Sequence, residues 1–310
     1  MKQATENILF SGDDYLKIKQ GIDTLYDQFS ERTGIEAGDL TFVEFIKAEN
    51  GLSVALEHAA HCLKDLMRTT YFLRGIHQAI KEQLSNHSTV KILYAGCGPY
   101  ATLLTPLTSQ FSSDEVRFTM LDINPRSTES VRDLYAQMGL ESYVQEYIVA
   151  DATASATAWV GTYDIIISET MAQALKVECQ VPLTRNMIKH LNDSGTFIPQ
   201  RITVDAYLFG KHNTMNPIET PKTFVGNVYN LDFKHVPQKE HKSVCAIPET
   251  EHDALMLDTT IYVYDSIVVK PYESGLTLPL WLKNLTDPKP KTVTFVYKEG
   301  ISCDYEITYK

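Results

Sequence analysis

No stretch of 18 or more apolar residues occurs in the 310-residue chain, so a helical membrane span is not expected. The opening residues, MKQATENILFSGDD, lack the apolar core and small-residue cleavage site of a secretory signal. Cysteine is sparse and scattered. Cys62, Cys97, Cys179, Cys245 and Cys303 form no C-x-x-C pair and their number is odd, which argues against a disulfide framework or a zinc site. No metal is therefore assigned, and a reducing cytoplasm is the expected location. The nine histidines contain no H-E-x-x-H and are read as surface or satisfied core residues. Positive charge is also short: 28 Lys and Arg face 39 Asp and Glu, a formal net charge of −11 that disfavours a nucleic-acid backbone as partner. Such acidity suits a cationic substrate, and it equally serves solubility.

What is present is an ordinary globular composition, long enough for two domains. Residues 13–35 and 53–85 carry apolar residues at helical spacing, the second with a lone Gly75 as a candidate kink. The pattern then changes to short apolar runs, at 90–96, 116–122, 143–151 and 163–169, separated by helical stretches such as Thr128–Met138. Strands alternating with helices predict an α/β, Rossmann-like, mainly parallel sheet. After about residue 197 the runs become β-branched and aromatic with period-two alternation, as in RITVDAYLF and KTVTFVYK. A mostly antiparallel β domain is expected there. The division is thus a helical segment at 1–88, a nucleotide-binding domain at 89–197 and a β-rich domain at 198–310, with the junction near Gly195–Arg201.

Ligands of such a sheet sit at the carboxyl ends of its strands. The first strand runs into Gly96-Cys97-Gly98, where glycines let the backbone approach a ligand. The third glycine of a dinucleotide fingerprint is missing, because position 101 is Ala. The second strand ends in Asp122, whose carboxylate can accept from ribose hydroxyls or act as a strand-end cap. The third ends in Asp151-Ala152, where a carboxylate can accept from an adenine amino group or cap a helix. The fourth ends in Ser168-Glu169, and Glu178 follows nine residues on. On a continuous helix that spacing puts the two glutamates on opposite faces, so they converge only if the segment loops back.

Together these residues resemble the protein arginine methyltransferases, class I enzymes that use S-adenosylmethionine. Ser168-Glu169-Thr170-Met171-Ala172 through Leu175 to Glu178 is similar to the family's double-glutamate loop, with Ala172 where the family has Gly. Gly195–Arg201 is similar to its passage into a β domain. The type II branch is nearer in Ala95–Pro99, in Asp122-Ile123-Asn124-Pro125, and in Phe42-x-x-Phe45 placed 17 residues before Cys62-Leu63. Asp65-x-x-Arg68-Thr69 is closer to the type I branch. The likeness covers roughly residues 41–205. The family's Tyr is Phe42 here, its T-H-W loop is missing with Trp281 the only candidate counterpart, and no dimerisation arm is legible, so a homodimer stays open.

The resemblance implies S-adenosylmethionine held by Phe45, Arg68, Gly96, Cys97, Gly98, Asp122, Asp151 and Ala152. It further implies an arginine guanidinium gripped by Glu169 and Glu178 beside Phe42 and Trp281. Phe42, Phe45 and Trp281 read equally as packing aromatics. Two alternatives remain open at this point: a methyltransferase acting on a small molecule, and a non-catalytic binding protein on the same fold.

Overall fold

The computed structural model of the chain describes residues 1–37, 45–154, 161–210, 217–237 and 240–310. It begins with two packed helices, α1 (Lys2–Phe10) and α2 (Tyr15–Thr33). The second matches the expected stretch, buries Ile18, Ile22, Leu25 and Phe29 at helical spacing, and is capped by Asp14, which accepts from the Lys17 N–H at 3.2 Å. A short hairpin follows, β1 (Phe45–Lys47) and β2 (Leu52–Val54). Its Asn50-Gly51 turn is a hairpin signal.

The stretch read as one helix over 53–85 is three pieces: the end of β2, then α3 (Leu56–His61) with a 3-10 turn at Cys62–Lys64, then α4 (Leu66–Leu84). The break falls at Asp65, not at Gly75. Asp65 is extended, and its carboxylate caps the Arg68 N–H at 3.2 Å. Gly75 lies inside α4, where a Cβ would come within 2.7 Å of Val263 Cγ1. The glycine is there for close packing against the β domain.

The central sheet comprises β3 (Val90–Ala95), β4 (Val116–Asp122), β5 (Val144–Val149), β6 (Tyr163–Ser168) and β7 (Leu191–Ile198). All pairings are parallel, in the order β5-β4-β3-β6-β7. The connection from β4 to β5 is α5 (Pro125–Met138), started by an Asn124 cap and Pro125. Between β6 and β7 lies α6 (Gln180–Met187). The chain runs outward from β3 through β4 to β5, then returns to the other side of β3 with β6. That reversal places the carboxyl ends of β3 and β6 side by side, Ala95 opposite Ser168, at the switch point where open α/β sheets bind ligands.

After Ile198 the chain enters two antiparallel sheets. One is built from β8 (Arg201–Phe209), β9 (Lys222–Asp232), β11 (Ala254–Tyr264), β12 (Ile267–Val269) and β13 (Leu280–Asn284). The other holds β10 (Glu240–Ala246), β14 (Thr292–Lys298) and β15 (Asp304–Tyr309). The architecture is the expected one, with α1 and the strands β1, β2, β7, β10 and β13 added. One hydrophobic core runs from α4 and β3 into β8 and β11, through Ile76, Ile92, Val204 and Val263. Among the described residues no helix is long and apolar enough to cross a membrane.

Candidate active site

The turn after β3 is set by backbone conformation. Gly96 and Gly98 have φ of +76° and +62°, which side chains disfavour. A Cβ on Gly96 would also strike Thr170 Cγ2 at 2.5 Å, so the glycine loop and the segment after β6 touch here. Between them the Cys97 side chain is buried, and burial pushes its thiol well above the ordinary range. Cys97 therefore offers backbone to the site. Asp122, at the end of β4, accepts the Gly98 N–H at 2.9 Å and the Asn124 N–H at 2.8 Å. Burial raises its carboxyl to about 6 in spite of those bonds.

Asp151 follows β5 and is bound on both oxygens. Oδ1 accepts the Thr153 N–H and hydroxyl, each at 2.8 Å, and Oδ2 accepts the Glu49 N–H at 2.6 Å. The β1–β2 hairpin is thereby tied over the end of β5. Ala152 is buried beneath it. The cleft between Ala48 and Ser53 on one side and Asp122, Asp151 and Ala152 on the other measures only about 20 Å³.

Glu169 leaves the end of β6 almost fully buried, ion-paired with Arg68 from the first turn of α4. Its second oxygen, Oε1, has no hydrogen-bond partner. The segment from Glu169 to Glu178 does loop back, with a single 3-10 turn at Gln173–Leu175. Both glutamates consequently face one cavity. Burial pushes the Glu178 carboxyl up to about 7, and the Arg68 charge holds it from rising further.

The loop is strained. Ala174, Leu175 and the β-branched Val177 have φ of +54°, +59° and +70°. The β domain supplies much of the restraint: the Ala174 N–H donates to Thr259 Oγ1 (3.1 Å), Tyr297 OH to the Leu175 carbonyl (2.8 Å), and the Val177 N–H to the Cys303 carbonyl (2.6 Å).

Of the residues singled out in the sequence, Arg68, Gly96, Cys97, Gly98, Asp122, Glu169 and Glu178 line one cavity of about 660 Å³. Asp151 and Ala152 line the adjoining cleft. Phe45 lies on a strand, not a helix, is 44% exposed and does not line the cavity. Trp281 is 57% exposed on β13, with its indole N–H toward Asn284 Oδ1. Its neighbour Leu280 lines the cavity, because successive strand residues point to opposite faces. Phe42 lies outside the described residues. Two histidines read as surface or core, His58 and His61 on α3, instead line the cavity; burial lowers the basicity of both. Their spacing on the helix leading to Arg68 was the available signal. Among the described residues no group of three His, Cys, Asp or Glu is placed to hold a metal ion.

No family model and no curated protein matches the sequence. Solved structures do match in shape. The chain is similar to the Trypanosoma brucei PRMT1 enzyme–prozyme heterotetrameric complex with AdoHcy, at 13% identity and a TM-score of 0.52, covering 80% of this chain and 92% of that one. It is also similar to Arabidopsis thaliana protein arginine methyltransferase 10, solved in an open conformation, at 11% identity and a TM-score of 0.53, covering 79% and 88%. The parallel sheet with its flanking helices and C-terminal antiparallel domain is thus the class I methyltransferase fold in the form seen in protein arginine methyltransferases.

Proposed function

We propose that the chain is an S-adenosylmethionine-dependent methyltransferase whose acceptor is a guanidinium, most simply an arginine side chain. The observation that carries this reading is the convergence of Glu169 and Glu178 on one cavity beside the glycine loop, with Glu169 Oε1 buried and unpartnered. A buried carboxylate oxygen without a donor is costly, and a cationic ligand with planar N–H donors relieves it.

The residues fit the cofactor. Gly96 and Gly98 line the cavity with bare backbone, Asp122 keeps acceptor capacity for ribose hydroxyls, and Arg68 at the cavity wall suits a carboxylate. The AdoHcy of the Trypanosoma brucei neighbour supports the same cofactor class here. The adenine end is narrow, and Asp151, which accepts the Glu49 N–H there, would be the residue to accept from an adenine amino group. Once bound, the cofactor supplies an electrophilic methyl group.

The rest falls to the protein. A free guanidinium is a poor nucleophile, being protonated and delocalised. Glu169 and Glu178 hold two of its nitrogens by charge-assisted hydrogen bonds and draw the positive charge toward them. The remaining terminal nitrogen keeps its lone pair, and holding it in place supplies much of the rate. The carboxylates also stabilise the cationic product. Glu178 must be ionised to serve, and an incoming guanidinium favours that state.

The test is methyl transfer from labelled S-adenosylmethionine to an arginine peptide, to free guanidino compounds, and to a phenol and a hydroxy acid. Transfer to the guanidinium acceptors, lost in Glu169→Gln, supports the reading. Transfer only to the phenol or hydroxy acid overturns it in favour of a different small-molecule acceptor.

A further inference from the structure

We propose that Gln180 is a positioning residue that sets the placement of Glu169 relative to Glu178. The inference rests on the guanidinium reading above and names a residue outside the glutamate pair. Gln180 opens α6, two positions after Glu178, and is 1% exposed. Its amide reaches back across the mouth of the loop. Oε1 accepts the Thr170 N–H at 2.8 Å and faces the Thr170 hydroxyl at 3.3 Å. Nε2 donates to the Ser168 carbonyl and to Thr184 Oγ1, each at 3.2 Å. The amide orientation is unambiguous, because a backbone N–H can only donate and a carbonyl can only accept.

All four hydrogen-bonding positions of the amide are therefore used, in a buried setting. Two of its partners are the residues on either side of Glu169. The side chain thus ties the start of the glutamate loop to its end. The loop between holds three residues at positive φ, so its ends need such a restraint to stay in register. Asparagine is one methylene too short to span the gap. Leucine fills the space and leaves the Thr170 N–H and the Ser168 carbonyl unpaired. Glutamate keeps the acceptor but loses the donor until it is protonated.

The experiment compares Gln180→Leu and Gln180→Glu with the wild type. It measures cofactor affinity, kcat and KM for a guanidinium acceptor across pH, and amide exchange at Thr170. For Gln180→Leu the expected result is a roughly 100-fold loss in acceptor kcat/KM. Cofactor affinity stays unchanged and Thr170 loses its exchange protection. For Gln180→Glu the activity relative to wild type climbs as pH falls and the carboxyl regains a donor. Wild-type acceptor kinetics in Gln180→Leu would overturn the proposal. So would a loss of cofactor affinity in step with the loss of acceptor turnover. If the wild type methylates no guanidinium, the proposed function fails; Thr170 exchange then decides on the brace, which unchanged protection in Gln180→Leu overturns.

Discussion

Neutralising Glu178 should stabilise the ligand-free protein while abolishing guanidinium methylation. Burial moves this carboxyl from its ordinary 4.5 to about 7, with Arg68 opposing the shift. The folded state therefore holds a proton over that interval that the unfolded chain releases. Stability from this group falls as pH rises from 4.5 through about 7, and stays low above it. At about 1.4 kcal/mol per pH unit the full effect is about 3 kcal/mol, and partial exposure trims it to about 2 kcal/mol. Glu178→Gln removes the ionisation. At pH 8 it should be about 2 kcal/mol more stable than the wild type, or roughly 4 °C in Tm, with no difference near pH 4. Denaturant titrations at the two pH values measure this. In the wild type, acceptor kcat/KM should rise about tenfold per pH unit below about 7 and then level. A Glu178→Gln protein no more stable at pH 8, or a flat kcat/KM between about pH 5.5 and 9, would refute the reasoning.

Arg68→Ala leaves Glu169 buried without its ion-pair partner and should cost about 3–5 kcal/mol in urea unfolding. Combining Arg68→Met with Glu169→Gln should recover most of that loss, whereas additive losses would show that the pair is not coupled. Gly96→Ala places a Cβ at positive φ and 2.5 Å from Thr170 Cγ2; calorimetry should find cofactor affinity down by about tenfold or more. Gly75→Ala crowds Val263 at a cost of about 1–3 kcal/mol, offset by about 1 kcal/mol of helix propensity. It should lower stability by about 1 kcal/mol and leave cofactor affinity unchanged.

The parallel sheet was legible because β3, β4 and β6 are buried on both faces and read as apolar runs ending in Gly96, Asp122 and Glu169, while the more exposed edge strand β5 showed itself by its β-branched and aromatic residues ahead of Asp151. Those ends meet at one site by topology, which is why residues far apart in sequence pointed to one ligand. The helix boundary at Asp65 was harder. Periodicity continues across it, and only the carboxylate cap on Arg68 marks the restart. The β1–β2 hairpin lies inside the segment expected to be helical, and its local signal is Asn50-Gly51. Trp281 falls away from the cavity because strand alternation turns its neighbour Leu280 inward instead, and Phe45 lies on β1, none of whose residues lines the cavity. Gln180 could not be read in advance. Its role comes from the loop doubling back, and that depends on contacts with β14 and β11 more than a hundred or about eighty residues on.

The most direct measurement is the fate of labelled methyl from S-adenosylmethionine added to a cell extract with the protein, separated into protein and small-molecule fractions, with Glu169→Gln alongside. Label in protein that hydrolyses to methylarginine, and that disappears with Glu169→Gln, is the expected result. Label confined to small molecules that carry no guanidinium, or undiminished with Glu169→Gln, would contradict the claim that the paired glutamates grip the acceptor.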